Sequence, residues 1–156
     1  MREKYKQGKI VLLEDDYDSM VMLKEILEKE KWLVELSASK DILTRLSSEY
    51  FDLILLDVMI HPQSRNGNGD LVENIHFLGV NWQRTGLEFL TRLRQGEFSK
   101  KNSQGTPPEV PVILLSAIAT NSTGLEAETT KLAQAHFEKP FRLKELLESI
   151  HTITGR

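Results

Sequence analysis

The sequence has no cysteine, which excludes disulfides and thiolate metal sites. It has no apolar run approaching the length of a membrane span. Residues 1–9 are basic but lack the apolar stretch of a signal peptide. Neither sign of charge dominates: 20 Lys and Arg face 23 Asp and Glu, for a net charge of −3. Bulk electrostatics therefore give no reason to expect nucleic acid as a partner. Internal repeats are also lacking, and only one helix length, 142–154, follows Pro140, so no appended output module is expected there. A cytoplasmic protein without membrane association is the expectation.

What is present is ordinary globular composition, 40% hydrophobic and 28% charged over 156 residues, enough for one domain with a full core. Short apolar runs punctuate the chain. Ile10, Val11, Leu12 and Leu13 lead into Glu14, Asp15 and Asp16. Leu53, Ile54, Leu55 and Leu56 end in Asp57. Val112, Ile113, Leu114 and Leu115 end in Ser116 and Ala117, and His136, Phe137 and Glu138 end in Lys139 and Pro140. Each run is too short for a helix and reads as a buried parallel strand.

Between the strands lie helical patterns. Met20, Leu23, Ile26 and Leu27 recur at helical spacing within 18–30, with Asp16 and Asp18 near the positive helix end. Strand two is expected over 32–36, followed by a helix capped by Ser39 or Asp41 and running through Leu46. Strand three covers 52–57, and Thr85–Arg94 reads as a helix with Leu87, Leu90 and Leu93 inward. A polar loop over 95–111, strand four, a weak helix near 124–134, strand five and a last helix complete the chain. Strands alternating with helices imply right-handed crossovers and a doubly wound α/β sheet of five parallel strands. In such a sheet the chemistry sits at the carboxyl ends of the strands. Acids, an acid, a hydroxyl and a lysine should thus surround one crevice, suited to a divalent metal and a phosphoryl group.

This order of strand-end residues resembles the receiver domain of two-component response regulators. The matching segments are Val11-Leu12-Leu13-Glu14-Asp15-Asp16, Leu55-Leu56-Asp57-Val58-Met59, Thr85-Gly86-Leu87-Glu88-Phe89-Leu90, Leu114-Leu115-Ser116-Ala117 and Glu138-Lys139-Pro140-Phe141. No one of them is specific; together and in this order they are. The resemblance covers the whole chain, 1–156, as a single receiver domain of flavodoxin-like topology, apart from an insert at about 60–84.

The resemblance implies roles. Asp57 would be the phosphoacceptor, forming an acyl phosphate. Asp15 and Asp57 would ligate Mg2+ (or Mn2+) directly and Glu14 through water, with the backbone carbonyl of Met59 as a further ligand. Lys139, Ser116 and a backbone amide near Met59 or Ala117 would stabilise phosphate oxygens. The Lys139–Pro140 peptide bond would be cis. His136 stands where many receivers carry an aromatic switch residue; its plain reading is a partly exposed strand residue. The implied partners are a histidine kinase or histidine phosphotransfer protein and a downstream protein, with no enzymatic activity beyond self-catalysed phosphoryl transfer and autodephosphorylation. A phosphorylation-independent interaction module is the alternative. A haloacid-dehalogenase-like phosphatase is disfavoured because Met59 stands where a second Asp is needed. A flavodoxin-like flavin carrier is disfavoured because strand one leads into acids that would repel a phosphate.

The insert begins polar, with Gly67 and Gly69, and becomes amphipathic through Leu71, Val72, Ile75, Phe77, Leu78, Val80 and Trp82. That apolar content argues against simple disorder. The expectation is a short helix or hairpin beside the acidic crevice, tuning the site or a partner rather than holding the core; Trp82, Phe77 and Leu78 would either anchor a partner or simply patch the domain's own surface. Asn66, Asn68 and Asp70 resemble the start of a calcium loop, but Phe77 stands where the closing Glu is required. His61 and His76 lack the spacing of a metal site.

Overall fold

The computed structural model describes residues 7–100, 104–117, 129 and 131–156. Five parallel strands form one sheet in the order β2-β1-β3-β6-β7. They are β1 (Lys9–Leu13), β2 (Leu33–Leu36), β3 (Leu53–Asp57), β6 (Val112–Ser116) and β7 (Ala135–Glu138). The helices are α1 (Tyr17–Lys29), α2 (Asp41–Arg45), α3 (Thr85–Arg94) and α4 (Leu143–Thr154). Two further strands, β4 (Gln63–Arg65) and β5 (Leu71–Glu73), pair antiparallel in a hairpin.

The sheet is covered on both faces because its central strands are apolar at every position. Alternation splits them into two cores. Val11, Leu13, Ile54, Leu56, Val112 and Leu114 face α2 and α3. Ile10, Leu12, Leu53, Leu55, Ile113 and Leu115 face α1 and α4. The four residues Leu53, Ile54, Leu55 and Leu56 are each 0% exposed, and burial of each stabilises the fold by about 1.5–3 kcal/mol. Among the described residues no helix is long and apolar enough to cross a membrane.

Local chemistry sets the ends of the elements. Asp16 caps α1, its side chain accepting from Ser19 N. Strand two starts at Leu33 rather than at Trp32, because the Trp32 amide closes α1 by donating to Leu27 O and the ring is buried at the sheet edge. At α2 the cap position is Lys40, although Ser39 Oγ does accept from Asp41 N. Strand five begins one residue earlier than expected, at Ala135. The helix expected near 124–134 lies mostly outside the described residues.

The 60–84 segment is a hairpin followed by a single 3-10 turn, Trp82–Arg84. The Asn66, Asn68 and Asp70 pattern is turn chemistry: Asn66 Oδ1 accepts from Asn68 N and Asp70 N, and Gly69 takes a φ of 81°. The segment does not stand clear of the core as expected. Ile60 and Ile75 are both 0% exposed and belong to the core on the α2 and α3 face. Nor do the three anchor candidates form one patch. Leu78 is fully exposed, the Phe77 ring lies under the Arg92 guanidinium, and the Trp82 ring packs on His61.

Candidate functional site

Parallel register gathers the site. Leu13 pairs with Leu56, so Glu14 and Asp15 leave β1 level with Asp57 at the end of β3. Asp57 in turn pairs with Leu115, which puts Ser116 one step beyond, and Ser116 pairs with Glu138, which precedes Lys139. Four strand ends thereby deliver the acids, the hydroxyl and the ammonium to one rim.

The carboxylates of Glu14, Asp15 and Asp57 offer oxygens that all lie within 4.8 Å of one another. Glu14 and Asp57 are buried and Asp15 half-buried. Lys139 Nζ donates to Glu14 Oε2 at 2.8 Å and to Asp57 Oδ2 at 3.3 Å. Main-chain amides hold the rest: Met59 N donates to Asp57 Oδ1 at 3.2 Å, Asp16 N to Glu14 Oε1 at 3.2 Å, and His61 N to Asp15 Oδ2 at 2.9 Å.

Among the described residues, one ammonium faces three carboxylates. Burial, followed by the neighbouring Asp57, pushes the Glu14 carboxyl up to about 7, although Lys139 pulls against this. Burial also raises Asp15, against the opposing hydrogen bond from the His61 amide. For Lys139, burial favours the neutral amine, but the charge of Asp57 and the contact with Glu14 outweigh it and hold the pKa above the ordinary range. A dense set of desolvated oxygen ligands with unbalanced negative charge is the donor set a hard divalent cation takes. These residues fit a divalent metal ion.

Gly86 has a steric reason to be glycine. Its amide donates to Val58 O at 2.9 Å, and a Cβ there would overlap the Asp57 carbonyl oxygen and come within 2.7 Å of Val58 Cα. The start of α3 is thus pressed against the backbone that carries Asp57. Ser116 is fully buried at the rim, whereas Ala117 is exposed. His136 is half-buried on β7, where burial lowers its pKa. Ala135 and Phe137 pack on the α1 and α4 face, so alternation turns His136 to the other face of the sheet. The Lys139–Pro140 bond is cis.

His61 and His76 are not brought together as ligands. His61 Nδ1 lies 2.8 Å from Gln63 O, and His76 Nε2 lies 3.3 Å from Glu73 Oε1. The hairpin, however, does border the acids, as expected. Its Arg65, Asn66, Gly67 and Gly69 face Asp15, Asp16, Tyr17 and Asp18 across an open cleft of about 500 Å³. Sequence reasoning missed the His61 amide and Asn74, a buried residue whose side chain donates to His61 O. No side-chain pattern could have pointed to a main-chain donor.

No protein-family model matches the chain, and no curated protein matches it. Solved structures do. A Francisella response regulator receiver domain superposes with a TM-score of 0.65 at 20% identity, covering 96% of this chain and 98% of its own. The fold is that of a response regulator receiver domain. A CheY-like receiver domain protein from Methanospirillum hungatei matches with a TM-score of 0.65 at 21% identity, covering 96% of this chain and 95% of its own. The response regulator TrrA from Thermotoga maritima, solved in complex with Mg2+ and BeF, matches with a TM-score of 0.61 at 20% identity, covering 94% of this chain and 98% of its own. The receiver fold thus accounts for nearly the whole chain, and the acids occupy the strand ends where a sheet of this type carries its chemistry.

Proposed function

We propose that this chain is a phosphoacceptor module of a two-component or phosphorelay system, a single receiver domain carrying residues 60–84 as an insert. Asp57 is the nucleophile. One of its carboxylate oxygens attacks the phosphorus of a phosphohistidine on a histidine kinase or phosphotransfer protein. The P–N bond breaks, the imidazole leaves with the electron pair, and an acyl phosphate remains on Asp57. Bound Mg2+ (or Mn2+) would neutralise charge on the transferring group. Glu14, Asp15, Asp57 and the Met59 carbonyl are the residues to hold it.

The chain's own groups supply the rest. Lys139, already between Glu14 and Asp57, is placed to follow the phosphoryl oxygens. Ser116 and the Ala117 amide are the further donors. The acyl phosphate then alters the rim and with it the surface offered to a downstream protein. Beyond this self-catalysed transfer and the hydrolysis of the acyl phosphate, which releases inorganic phosphate and restores the Asp57 carboxylate, no enzymatic activity is proposed. The setting proposed is cytoplasmic.

The observation that carries the reading is the bridged cluster itself, with oxygens of Glu14, Asp15 and Asp57 within 4.8 Å and Lys139 reaching two of the three. Incubation with acetyl phosphate should add one phosphoryl group, at Asp57 and only with a divalent cation, as located by mass spectrometry. Equal labelling of Asp57→Asn would sink the assignment.

A further inference from the structure

Asn74 is 1% exposed, in a segment otherwise largely open to solvent. Its Nδ2 donates to His61 O at 2.8 Å and to Ser64 Oγ at 2.9 Å, and its own amide donates to Pro62 O at 2.8 Å. One residue thus clamps the turn 61–64 at three points. Asn74 is itself fixed from the core side. The next residue, Ile75, is fully buried and donates to Ala38 O at 2.9 Å, and Asn74 forms a β-bridge with Ser39. The clamped turn carries the His61 amide, which holds Asp15 Oδ2 at 2.9 Å.

We infer that Asn74 is a positioning residue for the acid site: it fixes the 61–64 turn so that the His61 amide sets the Asp15 carboxylate for a divalent cation. This rests on the metal-site reading above. The chemistry explains the residue type. A carbonyl and a hydroxyl on one turn are both met by the two N–H donors of one short side chain. Leucine fills the same space with neither donor, and aspartate would face the His61 carbonyl with a like partial charge. A buried donor removed here leaves the His61 carbonyl without its partner, and the turn relaxes with the amide that Asp15 depends on. Groups that orient metal ligands typically change metal affinity tenfold or more when lost, on the order of 10–100-fold.

The test is Mg2+ binding to the full chain by calorimetric titration, with site-resolved amide exchange. Asn74→Ala should weaken Mg2+ binding by about tenfold. Its His61 amide should exchange faster, whereas the Gly86 amide, which bonds Val58 O and touches neither Asn74 nor the 61–64 turn in its hydrogen bonding, should keep its wild-type rate. Glu73→Gln is the control. It breaks the exposed Lys40 pair on the same hairpin and should leave Mg2+ affinity unchanged. If Asn74→Ala does not fold, Asn74→Ser, which is too short to reach both acceptors, replaces it. Wild-type affinity in the variant overturns the inference. So does equal acceleration of the His61 and Gly86 amides, which would mean a general loss of stability. Failure of the wild-type protein to bind Mg2+ is a separate result and overturns the metal-site reading itself.

Discussion

The sheet and the 60–84 segment obey different physics. In β3 every residue is buried, and position is set by apolar surface that has nowhere else to go. In the hairpin, the burial pattern of both strands is exposed, intermediate, exposed. Its place is set by two buried isoleucines at the root and a few polar clamps. The sheet therefore supplies a rigid rim to the site, and the 60–84 segment supplies one contact held by polar clamps, the His61 amide on Asp15. A site built on strand ends can carry such a contact because the rest of its geometry does not depend on it.

The largest effects should come from the core, on both sides of that contrast. Leu55→Ala should cost about 2–5 kcal/mol of unfolding free energy by denaturant titration, since the surrounding strands cannot collapse onto the cavity. Ile75→Ala should fall in the same range, about 2–5 kcal/mol, if the hairpin root belongs to the core as its burial states. A change under half a kcal/mol there would separate the segment from the core after all.

Gly86→Ala should come next, at about 1–3 kcal/mol, because the atoms it meets are the backbone of Asp57 and Val58 and not the tip of a side chain. The same variant should slow labelling of Asp57 by acetyl phosphate. Unchanged stability and unchanged labelling would show that α3 can retreat from the rim.

A smaller, pH-dependent effect distinguishes the site from the rest of the sheet. Glu14 titrates near 7 in the folded protein, against about 4.5 when unfolded. The folded form thus binds this proton more tightly. Its contribution to stability is complete below about 4.5 and is lost as pH rises through about 7. Without metal, the melting temperature should therefore rise by several degrees on going from pH 8 to pH 6. Glu14→Gln should remove that dependence. Saturating Mg2+, which favours the ionised carboxylates, should flatten it and raise the melting temperature at the alkaline end. A metal-free protein whose stability ignores pH in this window would count against an uncompensated acid cluster.

The smallest effect belongs to the hairpin surface. Leu78→Ala should leave melting and Mg2+ affinity unchanged, because its side chain is fully exposed to solvent. A measurable change in either would mean that the exposed face is held by something the strand ends also feel.

Much of the site was legible from the apolar runs. Once 10–13, 53–56 and 112–115 are strands of one parallel sheet, Glu14, Asp57 and Ser116 must come off the same edge. Asp16 was legible as a helix-start charge, and it caps α1. The amphipathic pattern after Asp70 announced structure in the hairpin, but not that Ile75 would reach the core while Leu78 remained outside. Periodicity was no guide there, since a hairpin of three-residue strands has too few residues to establish a period.

The sequence by itself determined the strand order of residue types: short apolar runs ending in acids, an acid, a hydroxyl and a lysine. That was enough for the fold class, because continuous burial of such runs has few solutions. Only the tertiary structure decided which oxygens meet and what holds them. The Lys139 bridge joins residues 125 positions apart, and the His61 amide reaches Asp15 across 46. The strand-end pattern put Lys139 beside the acids but not on particular oxygens, and the His61 contact leaves no trace in composition or spacing at all. A main-chain donor has no side-chain identity, and a buried asparagine such as Asn74 looks like any loop residue until its partners are in place.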